Sequence, residues 1–84
     1  MNNKMKDKTY TIIINTRDFE YDDKKISFKE VVELAFGSYV ENDKIIYTVT
    51  YSRGEHGKEG SLVVGQDVRV KDGMVFDVTQ SNRS

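Results

Sequence analysis

Cysteine is absent from the 84-residue chain, which removes a disulfide-stapled fold, a thiolate metal site and a thiol nucleophile together. Histidine occurs once, at His56, and a lone histidine without cysteine partners makes a poor metal site. Charge of one sign is missing as well: 13 Lys and Arg face 14 Asp and Glu, for a net charge of -1. Bulk electrostatics therefore points to neither nucleic acid nor a membrane as partner. No apolar run approaches the roughly 18 residues of a membrane span, and MNNKMKDK at the start has no signal-peptide core. The expectation is one small soluble, cytoplasmic domain, at a size where about 60% of the surface is buried on folding.

Against these absences stands one strong helix signal, SFKEVVELAFG from Ser27 to Gly37. Ser27 suits an N-cap, and Glu30 stands where it can complete a capping box. Phe28, Val31, Val32 and Ala35 share one face, widened by Leu34, while Lys29, Glu30 and Glu33 supply the wet side. Gly37, the first glycine in the chain, can take the left-handed conformation that stops a helix.

The rest reads as strands. Residues 1–8 form a lysine-bearing leader; Lys4, Lys6 and Lys8 are interrupted by Asp7 and interleave no aromatic, so a solvated tail fits better than a docking arm. Thr9 to Asn15 alternates as a first strand, Asn15 to Asp18 has turn composition, and Phe19 to Tyr21 resumes the alternation. Asp22 and Asp23, which could suggest an acid/base pair, are neutralised by Lys24 and Lys25 and read as a loop leading into the helix. Ile45 to Ser52 sets Tyr47, Val49 and Tyr51 on one face against Thr48, Thr50 and Ser52 on the other, as in a sheet covered on one side. Arg53 to Gly60 lacks phosphate-loop spacing and reads as a loop around His56.

Ser61 to Val64 is a short apolar segment, and Asp67 to Thr79 reads as a hairpin turning at Asp72-Gly73 in a primed turn. The expected core joins the helix face to Ile12, Ile14, Val49, Leu62, Val68, Val70, Phe76 and Val78. Residues 80–84, Gln80, Ser81, Asn82, Arg83 and Ser84, lack strand periodicity and are expected to dangle as a flexible tail.

The order hairpin, helix, strand, short turn, hairpin has a compact solution. The first and last strands lie parallel in the middle of a mixed sheet of four to five strands, with the helix across one face. Ile12, Ile13 and Ile14, apolar on both sides, suit a central strand. This is an α+β β-grasp, or ubiquitin-like, domain over residues 9–79.

The residues also carry a resemblance. YTIIIN at Tyr10 to Asn15, FKEVVELAF at Phe28 to Phe36, YTVTYSRG at Tyr47 to Gly54, and EGSLVVGQDVRVKDGMVFDVT at Glu59 to Thr79 resemble the bacterial multiubiquitin-domain family. That resemblance implies a ubiquitin-like modifier with no cofactor or metal of its own, in operons that act in antiphage defence. It implies as partners an adenylating activating enzyme that uses ATP, a conjugating-enzyme-like protein, a deubiquitinase-type metalloprotease and target proteins. Ser84 then becomes the expected conjugation terminus, carried on the tail Gln80 to Arg83. The chain departs from eukaryotic ubiquitin in ending Asn82-Arg83-Ser84 without Gly-Gly, where glycines let a side-chain-free tail thread a narrow channel. Two alternatives follow: a non-covalent binding module using a sheet face or the tail, and a sulfur carrier. No assembled nucleophile, base or metal constellation supports an enzyme.

Overall fold

The computed structural model describes residues 8–82. Among these residues seven strands and one α-helix run β1 (Tyr10–Ile14), β2 (Arg17–Tyr21), β3 (Lys25–Ser27), α1 (Phe28–Phe36), β4 (Ile45–Ser52), β5 (Gly60–Leu62), β6 (Asp67–Arg69) and β7 (Met74–Asn82). Five form one sheet in the order β2-β1-β7-β4-β5, and β3 with β6 makes a second, two-stranded sheet. β1 and β7 are parallel, with Ile12 opposite Met74 and Ile14 opposite Phe76; the other pairings are antiparallel. This is the α+β β-grasp, with the first and last strands side by side and α1 on one face.

α1 forms as its sequence dictates. The Ser27 side chain accepts from the Glu30 N–H at 3.1 Å, and Glu30 Oε1 accepts from the Ser27 N–H at 2.9 Å. Satisfying these two otherwise orphaned donors is worth about 0.5–2 kcal/mol. Gly37, at φ 87°, ends the helix by donating to the Glu33 carbonyl. Phe28, Val31 and Val32 are buried against Ile12, Ile14, Val49, Leu62, Val70, Phe76 and Val78. Beyond the helix, Tyr39 folds back so that its ring lies 5.4 Å from Tyr47 and 6.1 Å, edge-on, from Phe28.

Four expectations need correction. The hairpin over Asp67 to Thr79 is not a hairpin, because β6 pairs with β3, Val68 opposite Ile26, rather than with β7. Only Gly73 of the two turn residues has positive φ, where the commonest primed turn needs both. The Lys71–Met74 turn therefore swings the chain from the small sheet into the large one instead of folding it back. The connection expected from Asp22 into the helix accordingly contains a strand, and its Ile26 is fully buried, a contribution of about 1.5–3 kcal/mol. Met74 joins the core whereas Val68 is only half-buried against it. Finally, the last strand does not stop at Thr79: Gln80, Ser81 and Asn82 pair with Tyr47, Ile46 and Ile45.

Candidate functional site

The expected site is the C-terminal segment, and β7 positions it. From Met74 to Val78 the strand alternates buried and more exposed residues, with Met74, Phe76 and Val78 under the helix. β1 flanks it on one side as far as Phe76, and β4 flanks it on the other from Val75 to Asn82. Past Val78 the strand is exposed and, among the described residues, pairs on one side only, with Ile45 to Thr48.

Asn15 marks the boundary. β1 ends at Ile14, and Asn15 and Thr16 turn into β2 with φ of 51° and 69°, the two positive values of a type I′ hairpin turn. The Asn15 N–H donates to the Phe76 carbonyl at 3.0 Å. Its side-chain amide then does what one more residue of β1 would do: Nδ2 donates to the Val78 carbonyl at 3.0 Å, and Oδ1 accepts from the Val78 N–H at 2.9 Å. Both backbone groups of Val78 are thereby satisfied in a half-buried place where an unpaired one costs about 1–3 kcal/mol. The sequence marks Asn15 only as a turn former; nothing local in it points to a partner 63 residues away.

The same bonds fix which way each backbone group points. Antiparallel neighbours alternate, so if the amide groups of Val78 face β1, those of Asp77, Thr79 and Ser81 face β4. Gln80 and Asn82 then present N–H and C=O to the side where β1 has ended. Across the ladder, Tyr47 likewise points away from β7, toward the line of β5. Of the five expected tail residues, the structure places Gln80, Ser81 and Asn82 in this two-stranded ribbon; Arg83 and Ser84 lie outside the described residues.

Elsewhere the side chains with chemical potential are dispersed. His56 sits in a single 3-10 turn, Glu55–Gly57, where neighbouring Glu55 forms an exposed ion pair with Arg69 at 3.5 Å. Among the described residues no three His, Cys, Asp or Glu side chains are grouped to hold a metal. Asp22 and Asp23 instead lie beside the Tyr21 phenol, whose pKa is raised well above its ordinary value. Burial is the main cause, followed by hydrogen bonding to, and the charge of, Glu30, and then the two aspartates. No described helix is long and apolar enough to cross a membrane.

A comparison with family models matches residues 10–82 to the family described as Multiubiquitin. Neither the curated proteins nor the solved structures contain a match. The matched span runs from the first residue of β1 to the last of β7, so the strand order, the single helix and the long final strand all fall within it: the chain belongs to the multiubiquitin family.

Proposed function

We propose that this chain is a protein modifier, joined to target amines through its C-terminal carboxylate and recognised afterwards as a folded tag. The observation that carries the reading is the course of β7 within a ubiquitin-family domain. A central strand, buried where the helix covers it, continues past the core as an exposed ribbon as far as Asn82, with the proposed attachment residues following it in sequence. In the proposed chemistry a partner enzyme adenylates the carboxylate with ATP, releasing pyrophosphate. Passage to a thioester releases AMP, and amine attack then forms the amide and frees the carrier thiol. The chain itself supplies no catalytic group; Ser84, with Gln80 to Arg83, is its proposed attachment segment, and antiphage defence its proposed setting in bacterial cytoplasm.

Incubation with the adenylating and conjugating proteins of the same organism, with and without ATP, tests this by intact mass. The expected product is an ATP-dependent adduct equal to chain plus target less one water, lost when the terminal carboxylate is amidated. Stable complexes without any adduct overturn it. That outcome favours the second reading, a non-covalent binding module, for which the pairing of Gln80 to Asn82 with β4 is the motivating observation.

A further inference from the structure

We propose that the open edge of β4 at Tyr47, with the apolar cleft beside it, takes up an extended segment of a partner protein in which apolar residues alternate and at least one basic residue flanks them. The inference does not depend on whether the chain is conjugated.

The edge is open because β5 leaves β4 early. Their pairing sets Val49 opposite Leu62 and Tyr51 opposite Gly60, so continuation of β5 would set Val64 opposite Tyr47. Instead the chain turns. The Gln66 N–H donates to the Val63 carbonyl at 2.9 Å, and the Gln66 side chain accepts from the Val63 N–H at 3.1 Å. This self-closed turn satisfies its own polar groups and carries the chain off toward β6. Among the described residues Tyr47, whose N–H and C=O point to that side, is left with neither bonded to another strand, whereas the Ile45 N–H two residues before it already donates to the Asn42 carbonyl. One donor and one acceptor at strand spacing are what an added strand pairs with.

The surroundings select what that strand carries. A cleft of about 450 Å³ opens beside Tyr47, between Tyr39, Ile45 and Val64. Adjoining clefts of about 300 and 290 Å³ meet it at Phe28 and Val64. Their floor is aromatic, and Val64 is 67% exposed and Val63 53% exposed, paired valines that no described element covers. An alternating segment running in line with β5 would lay every second side chain on this floor. Glu41 and Asp67 outnumber Lys29 in the lining of the cleft beside Phe28, so the complementary flank is basic.

Selection of random linear peptides on the purified full chain, followed by amide NMR with the synthesised winner, tests the proposal. The expected winners alternate apolar residues beside Lys or Arg, shift Phe28 and Val64, and protect the Tyr47 amide from exchange. Val64→Glu, at an exposed site that leaves the fold intact, is expected to weaken binding about tenfold. Glu41→Lys should select against basic peptides, and N-methylation of the pairing peptide bond should abolish protection at Tyr47. Absence of enriched peptides, acidic winners, or winners that map to β2 overturn the proposal. So does concentration-dependent sedimentation with Tyr47 protected in the absence of peptide, which would make a second copy the occupant.

Discussion

The two halves of β7 share one strand, one partner and one hydrogen-bond register, yet they are physically different objects. From Met74 to Val78 the strand lies between β1 and β4, closed at its end by Asn15 and covered by α1. From Thr79 to Asn82 it has β4 alone among the described residues and buries no side chain. A strand's stability therefore comes from what lies beside and above it; the ladder alone contributes only about 0.5–1.5 kcal/mol per bond, an amount that ordering the backbone consumes. The first half belongs to the core and the second is fit to be handled by other molecules.

Proline substitution gives the largest contrast. Asp77 and Ser81 both have exposed side chains and both direct their N–H to β4. Asp77→Pro removes a ladder bond from a central strand, where proline is hardly ever accommodated, and the folded signal in circular dichroism is expected to be lost at 25 °C. Ser81→Pro removes the equivalent bond from the one-sided ribbon and is expected to cost no more than about 1 kcal/mol in urea unfolding. Equal losses at the two sites would break the distinction.

Asn15→Gly comes next. Glycine keeps the positive φ of the turn and removes both side-chain bonds to Val78, so a destabilisation of about 1–3 kcal/mol is expected. The informative readout is local: Val78, now without its clamp, should exchange its amide hydrogen as readily as Thr79. In the unaltered chain Thr79 and Ser81 are expected to exchange about a hundredfold faster than Val75 and Asp77, because the ribbon opens without global unfolding. Matching rates along the whole strand would make it one cooperative unit.

The boundary at Val78 also explains what could be read in the sequence. Helix α1 was legible to the residue, since Ser27, Glu30 and Gly37 act within their own turn. The alternation of Tyr47, Val49 and Tyr51 gave the face of β4, and the order of elements gave the parallel β1–β7 core. Contacts of long sequence separation were not legible. Asp72-Gly73 between two alternating segments looks like a hairpin, yet buried Ile26 pairs across from Val68 and pulls β6 away. Gln80, Ser81 and Asn82 have the composition of a loose tail because they bury nothing; β4 pairs with their backbone, which composition does not record. The open edge at Tyr47 is illegible for the same reason, being defined by a strand that turns away after Leu62.

The smallest expected effect lies at the opposite edge of the sheet, where Tyr21 of β2 packs partly against the core. Its phenol is held in the neutral form by burial and by Glu30, Asp23 and Asp22, which raise its pKa. A raised pKa means that the unfolded chain gives up the proton first as pH climbs past about 10. Tyr21 therefore favours the folded state fully below that pH, and the advantage is lost progressively as pH rises above it toward the raised folded value. Tyr21→Phe cannot ionise in either state, so its stability should fall less steeply than the parent's above pH about 10 and run parallel to it near neutrality. Because the ring is only partly buried, the difference should be small, readable as a change of slope in melting temperature against pH. Parallel curves throughout the alkaline range would show that the carboxylates around Tyr21 leave its proton as free as in the unfolded chain.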